Sequence, residues 1–458
     1  MNRRRRSAAI RMSDVIKASK RLLLGTALLA IGTTASAEDW KGWMGSKRDG
    51  VLHESGVVDS IPAAGLPVKW RHPVGAGYAG PAVADGKVFV TDYLTASGKA
   101  FNDPGQRAKL QGRERLLALD EKSGEVIWEY AYDRPYEISY PSGPRATPTI
   151  DGNRVYFLGA EGDFTCLNTN DGSVVWKRNL STDFGADVPI WGFSAHPLVH
   201  GDLIYTMVGG DGQGIVAFDK NTGEVSWKAL DVPAGYCAPI IVDAGGTSQL
   251  ITFHPEGVTS FAPETGKKYW DIPVSPSYEM SVAVPAVNGN HIFVSSIHTE
   301  AVLIELASDT PTAKEVWRGE SKNAVHCSNA PASFKGDVIY GTDCNQGDLI
   351  AVDASNGNRL WSTFEATKPG EKRFIKHGTA FLTRVGDSDS YFVMSENGDL
   401  IVAELTSKGF AEKGRMHVLE PTGEAFGRPV VWSYPAYANR TAYIRNDKEI
   451  VAVNLSAK

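Results

Sequence analysis

The chain has 458 residues, 42% of them hydrophobic and 22% charged, with 47 glycines, four cysteines and a formal net charge of −6. Removing residues 1–37 takes away eight basic residues and one acidic one, leaving 39 basic against 52 acidic and a net charge of −13. So acidic a chain is a poor match for the phosphates of nucleic acid, and no apolar run reaches the roughly 20 residues that a spanning helix needs.

Residues 1–37 read as an export signal. Arg3 to Arg6, Lys17, Lys20 and Arg21 make a basic start, Leu22 to Ile31 an apolar core, and Ala35-Ser36-Ala37 a small-residue cleavage site,. No cysteine follows that site, so a lipid anchor has no attachment point there. The expected location is periplasmic or secreted, with residues 38–66 as an N-terminal extension and 67–458 as the folded body.

From Trp70 onward one unit recurs. Its clearest copies are Ala118-Leu-Asp-Glu-Lys-Ser-Gly-Glu-Val-Ile-Trp128, Ala217-Phe-Asp-Lys-Asn-Thr-Gly-Glu-Val-Ser-Trp227 and Ala351-Val-Asp-Ala-Ser-Asn-Gly-Asn-Arg-Leu-Trp361. Each reads as strand, tight turn and strand, with glycine supplying the positive φ of the turn. A second hairpin precedes each copy, as in Pro81-Ala-Val-Ala-Asp-Gly-Lys-Val-Phe-Val90. Two hairpins make a four-stranded propeller blade. The outer-strand tryptophans, 70, 128, 176, 227, 270, 317 and 361, are spaced by 58, 48, 51, 43, 47 and 44 residues, and His417 lies on the next such strand. After Pro435 only three strands remain, so Val68 to Val74 is the missing fourth. The prediction is an all-β, eight-bladed β-propeller of four-stranded antiparallel blades, its last blade closed by the N-terminal strand, with very little helix.

The Ala-x-Asp-x-x-(Thr/Ser/Asn)-Gly-x-x-x-Trp unit resembles the repeat of pyrroloquinoline quinone dehydrogenases and of the propeller lipoprotein of the outer-membrane β-barrel assembly machinery. The opening Trp43-Met-Gly-Ser-Lys-Arg-Asp-Gly50, with Gly77-Tyr-Ala-Gly-Pro81, is similar to exported quinone-repeat-like proteins. The resemblance implies the fold across nearly the whole mature chain, and bound pyrroloquinoline quinone with Ca²⁺ as a cofactor to consider. Two departures weigh against the two named activities. The vicinal cysteine pair of the dehydrogenases is absent, and so is the lipidated cysteine of the assembly factor.

Loops between blades gather on one face around the axis. Alignment on the residue before each inner strand puts Tyr78, Arg145, Ser194, Tyr236, Val282, Ser328 and His377 in equivalent rim positions. Tyr140, Trp191, Tyr278, His326, Lys376 and Trp432 lie slightly upstream. From these, Tyr78, Arg145, Trp191, Tyr236, His326, Asn329, Lys376, His377 and Trp432 form the candidate binding set. Two readings stay open: turn residues that pack the funnel mouth, or a pocket whose rings stack a flat or sugar-like ligand while Arg145 and Lys376 hold a carboxylate and His326 or His377 moves protons. His196, His254, His291 and His298 carry no functional expectation. The polar stretch Leu94 to Arg115 exceeds an ordinary blade loop and should overhang the same face, as a lid or as decoration.

Cys327 and Cys344 flank the hairpin that turns at Lys335-Gly336-Asp337 at nearly equal distances, which predicts a cross-strand disulfide. Cys166 reads as a small buried hydrophobe and Cys237 as a rim residue; scattered histidines and the absence of C-x-x-C spacing disfavour zinc. No catalytic residue is assigned. The expected role is a monomeric ligand-binding or protein-interaction scaffold that engages a periplasmic protein, glycan or small molecule through its loop face. The alternative is a quinone-dependent alcohol or sugar dehydrogenase, and a further one is another enzyme that uses the rim histidines and arginine.

Overall fold

The repeat hairpins are shaped by their own side chains. Asp120 Oδ1 accepts the backbone N–H groups of Lys122 and Ser123 at 3.0 and 2.8 Å. Asp219 does the same for Asn221 and Thr222, and Asp353 for Ser355. The glycine that ends the turn then takes the left-handed conformation, at φ +73° for Gly124 and +70° for Gly223,. In every blade the outer strand next carries a one-residue bulge. In the first, Ala118 pairs with Trp128 but Leu119 with Val126, so Ile127 is left out of the ladder. A bulge adds local twist, and here it aims the indole at the neighbouring sheet.

The structure is a computed structural model that describes residues 38–457 apart from 371 and 372. The predicted export signal lies outside the described residues. Eight antiparallel sheets form the ring. Blades 1 to 7 begin with the inner strands Ala82–Ala84, Thr149–Asp151, Leu198–His200, Ile240–Ala244, Ala286–Asn288, Ser333–Lys335 and Ala380–Val385. Blade 8 takes three strands from the C-terminal end and its outer strand, Val68–Pro73, from the N-terminal side, paired antiparallel with Glu449–Asn454. Helix among the described residues is limited to Leu180–Phe184 and a 3-10 turn at Ser277–Glu279.

Six indoles donate Nε1–H to a backbone carbonyl of the following blade: Trp70 to Glu121, Trp128 to Thr169, Trp176 to Lys220, Trp227 to Pro263, Trp317 to Ala354 and Trp361 to Thr406, at 2.7–3.0 Å. The ring of each of the first five lies flat on the turn glycine of that blade. A Cβ on Gly124, Gly172, Gly223, Gly266 or Gly357 would meet the indole at 2.5–3.1 Å. Those glycines therefore answer to two demands, positive φ and an indole against the α-carbon. Trp270 is the exception: blade 5 has no glycine in its Leu306–Ala313 turn, and this indole donates to Gln249 Oε1 within its own blade.

Closure has its own chemistry. Because the outer strand of blade 8 comes from the other end of the chain, blade 8 lacks the outer hairpin on which an indole of blade 7 would dock. The equivalent position in blade 7 is Gly414, opposite Val402, and Ile61 of the N-terminal extension fills the space, its carbonyl 2.2 Å from where a Cβ on Gly414 would sit. On the other side of blade 8, the fully buried Arg445 joins it to blade 1 by donating to the carbonyls of Thr91 and Gly75. Glu54, also buried, accepts the N–H groups of Asn439 and Arg440 at 2.7 Å.

Residues 40–52 enter the ring itself. Trp40 bridges to Val83 of blade 1, and Val51–Leu52 pairs in parallel with the inner strand of blade 7. Between them the segment crosses the axis and divides the central channel into an upper cavity and a lower mouth.

The expected disulfide does not form: all four cysteines are free and buried. The hairpin register, Ser333 opposite Tyr340, does not carry back to the cysteines: the Cys344 N–H donates to the carbonyl of His326 at 2.7 Å, the residue before Cys327. The Cys327 sulfur faces Gly341, whose Cβ position is 2.8 Å away, whereas Cys344 Sγ lies 3.6 Å from His298 Nδ1. The stretch Leu94 to Arg115 is mostly strand. Lys87–Gly98 and Ala108–Asp120 extend the middle of blade 1 upward as a ribbon, and only residues 99–107 form its tip.

Candidate functional site

Eight of the nine residues in the candidate set line one cavity of about 600 Å³ on the loop face; His326 does not. The floor comes from the N-terminal segment. Trp43 stacks on His196, with centroids 4.0 Å apart and planes at 13°, and its ring is 5.1 Å from that of Tyr434. Below it Arg48 plugs the axis, donating to the carbonyls of His196 and Pro239 at 3.1 and 3.2 Å and to that of Pro197. Burial lowers its pKa to about 9. Burial, and then the Arg48 charge, hold His196 well below the usual imidazole range, so it is neutral.

One wall carries Tyr78, Tyr140 and Arg145. The guanidinium lies 5.3 Å from the Tyr78 ring centre and donates to the carbonyls of Ser139, Tyr140 and Gly143, which fixes the loop before blade 2. Burial depresses its pKa, and no carboxylate is within ion-pair distance of it among the described residues. The next wall holds Trp191 and Tyr236 in an edge contact at 5.5 Å; Ser194 Oγ donates to the Tyr236 carbonyl. Tyr278, at φ +59°, stands 78% exposed at the mouth.

The opposite wall is a run of rings. His377 stacks on Phe426 at 4.9 Å and meets His298 edge-on at 5.2 Å. Trp432 lies 6.4 Å from Phe426 and 6.3 Å from Tyr140. The exposed Lys376 ammonium sits 4.9 Å from the Phe426 ring centre. Burial first, then the charges around it, lowers the His377 pKa to about 4, so at neutral pH it is an uncharged ring. Trp432 Nε1 donates to Glu396 Oε2 at 3.0 Å, behind the wall, where Arg428 and the Thr379 N–H also bind that carboxylate. Asn329 lines the cavity, and its buried amide nitrogen has no partner. At the tip of the blade 1 ribbon, Pro104 and Gly105 reach the cavity, and Asn102 donates to the Glu424 carbonyl at 2.6 Å.

His326 is fully buried and turns into blade 6, its Nδ1 3.6 Å from Asp343 Oδ1. That carboxylate caps the His326 backbone N–H at 3.0 Å. The residues that sequence alignment left out are Trp43, His196, His298 and Phe426. The first lies in an aromatic-glycine-basic run that precedes the repeats; the others sit in connections of unequal length.

The chemistry open to this site follows from what it holds. Among the described lining residues there are many ring faces and two cations but no aspartate, glutamate or cysteine. The nearby Cys344 thiol is pushed up to about 12 by burial and carries no thiolate at neutral pH. Ca²⁺ takes six to eight oxygens with carboxylates prominent among them, and no three His, Cys, Asp or Glu side chains among the described residues are placed to hold a metal. The residues present therefore do not fit a calcium-bound quinone.

Comparison with known proteins agrees with the architecture. The family profile described as outer membrane protein assembly factor BamB matches residues 55–158 and 112–363. The chain is 32% identical over 127 residues to a quinoprotein ethanol dehydrogenase of Pseudomonas aeruginosa, covering 25% of this chain and 19% of that one. It is 28% identical over 123 residues to BamB of Salmonella typhimurium, covering 26% and 28%. The matched stretch thus spans well under two thirds of either relative. Among solved structures, BamB from Moraxella catarrhalis superposes with a TM-score of 0.58 at 15% identity over 86% of this chain and 98% of that one. Quinohemoprotein alcohol dehydrogenase from Comamonas testosteroni does so with 0.59 at 13% identity over 93% and 82%. At such identities the likeness is one of fold.

Proposed function

The chain belongs to the quinone-repeat propeller family described as outer membrane protein assembly factor BamB, and from that premise we propose that it is an exported binding protein that holds a flat organic molecule in its loop-face funnel. Residues 1–37 direct export, and the mature protein works as a monomeric scaffold outside the cytoplasm. The observation that carries this reading is the lining itself: indole, phenol and imidazole faces from most of the blade connections, with no carboxylate or thiol among the described residues. Such a surface favours stacking and ring burial and offers no carboxylate for calcium-assisted chemistry.

A dehydrogenase reading has one specific support, the local identity to the quinoprotein ethanol dehydrogenase. The two separate in one set of measurements. Calorimetric titration of the mature protein with naphthalene derivatives should give one site per chain that is lost in Tyr236→Ala. Dye-linked oxidation of alcohols or sugars should stay at background after incubation with pyrroloquinoline quinone and Ca²⁺. Turnover under those conditions, or no saturable site, would overturn the binding reading.

A further inference from the structure

The lining carries charge that the protein does not balance. Arg145 and Lys376 face the cavity, and Arg48 lies just beneath its floor. No aspartate or glutamate among the described residues forms an ion pair with any of the three, although the chain as a whole has more acidic than basic residues. Of the surrounding carboxylates, Glu396 is held by Arg428 behind the wall, and Glu161, whose charge reaches Arg145 without forming an ion pair, accepts the Glu137 N–H at 2.7 Å. Glu114, deeper in blade 1, is occupied by the Tyr132 and Tyr136 hydroxyls and the Ala160 N–H. The histidines that line the pocket add no negative charge.

A cation taken out of water with no counter-charge is unfavourable unless something else compensates it. For Arg48 the compensation is visible, because its N–H groups are spent on carbonyls of the axis-facing loops. For Arg145 it is partial. Three bonds go to the carbonyls of residues 139, 140 and 143, out of a guanidinium that carries five N–H groups, and its atoms are not among the buried ones that lack a partner. The hydrogen bonds among the described residues leave its Nε–H and one Nη1–H without an acceptor, and the residue lines the cavity. Lys376 contributes an exposed ammonium on the other side, above Phe426.

We propose that the funnel is selective for organic anions, specifically a planar aromatic ring bearing a carboxylate or sulfonate, with the ring between the aromatic walls and the acidic group completing the charge balance at Arg145 and Lys376. This rests on the binding reading above and adds the sign of the ligand's charge to it. A single charge-assisted hydrogen bond to such a group suits a guanidinium already fixed in orientation. No metal is needed to hold it.

The test compares 2-naphthoate with its methyl ester, which has the same ring and no charge, by calorimetry on the full mature chain. The acid should bind at one site and at least about tenfold more tightly than the ester, the range of a charge-assisted hydrogen bond. Lys376→Met should weaken the acid about two- to fivefold, as for an exposed charge, and leave the ester unchanged. Arg145→Met should weaken the acid more than tenfold; because Arg145 also braces its loop, Lys376→Met keeps the test decisive if that variant unfolds. Raising salt should weaken the acid alone. An ester that binds as tightly as the acid, or a Lys376→Met variant indifferent to the acid, would overturn anion selectivity while leaving the binding reading intact. Failure of both compounds to bind would remove the binding reading itself.

Discussion

The outer edge of the ring and the rim of its funnel are built by opposite rules. At the edge the same contact is made again and again: an indole N–H on the carbonyl of the next blade and an indole face on that blade's turn glycine. At the rim no two blade connections contribute the same arrangement. Arg145 over Tyr78, Trp191 against Tyr236 and His377 on Phe426 each occur once. Identical joints make a ring close evenly, whereas a pocket that distinguishes one ligand from another cannot have the symmetry of its scaffold. The sharpest way to break this contrast is at glycine. Gly152 and Gly266 both have positive φ, at +53° and +70°, but a Cβ on Gly152 meets nothing, while one on Gly266 would sit 2.5 Å from the Trp227 ring. In urea unfolding, Gly152→Ala should lose about 1–2 kcal/mol from backbone strain, and Gly266→Ala about 2–4 kcal/mol once overpacking is added. Equal losses would mean that the indole contact contributes nothing.

The same contrast governs what could be read in advance. Periodic chemistry shows in sequence, so the Gly-x-x-x-Trp spacing located the blades, and the deficit of one strand after Pro435 located the closure. Chemistry that occurs once does not repeat and so leaves no period. Trp43 and Arg48 reach the axis from a segment that only tertiary packing brings there, and nothing local marks them as floor and plug. His326 failed for a different reason. Counting back from the inner strand assumes connections of one shape, but Ala324 takes φ +56°, and Asp343 captures the next-but-one backbone N–H, so the imidazole ends inside blade 6. The Cys327–Cys344 expectation assumed symmetric flanks about the turn, whereas the ladder ends at Ser333 and the Cys344 N–H goes to the His326 carbonyl. In the ribbon of blade 1, buried Leu110 and Glu114 alternate with exposed polar residues, a strand pattern that the surrounding charge conceals.

Acid should probe the rim and the loops before the outer joints, whose indoles do not titrate. His377 on the rim and His254, at the end of a blade 4 strand, are both lowered by burial to about 4 from 6.5. Between these values the unfolded chain takes up protons that the folded one refuses, so their contribution is complete above about pH 6.5 and is lost progressively as pH falls toward 4. Thermal melts should accordingly drop between pH 7 and pH 4.5, by something on the order of 2–4 °C attributable to these two rings. Replacing both, as His254→Gln and His377→Asn, should flatten the profile in that window. A profile as steep as that of the native chain would place the acid sensitivity elsewhere.

The smallest change tests both regions with one substitution, tryptophan to phenylalanine. Trp361 gives its Nε1–H to the Thr406 carbonyl at 2.8 Å across the blade 6 and 7 joint. Trp361→Phe leaves that carbonyl without its donor, and unfolding should register about 1–2 kcal/mol. Trp191 makes its ring contact with Tyr236 through an edge that a phenyl ring can supply, and its indole nitrogen has no hydrogen-bond partner among the described residues. Trp191→Phe should therefore shift stability by no more than about 0.5 kcal/mol. Binding should rank the two variants in reverse, because position 191 lines the cavity in which 2-naphthoate is proposed to bind and position 361 does not. If Trp361→Phe weakened the ligand as much as Trp191→Phe, the edge and the rim would be mechanically coupled, and the division of labour between repeated joint and singular pocket would fail.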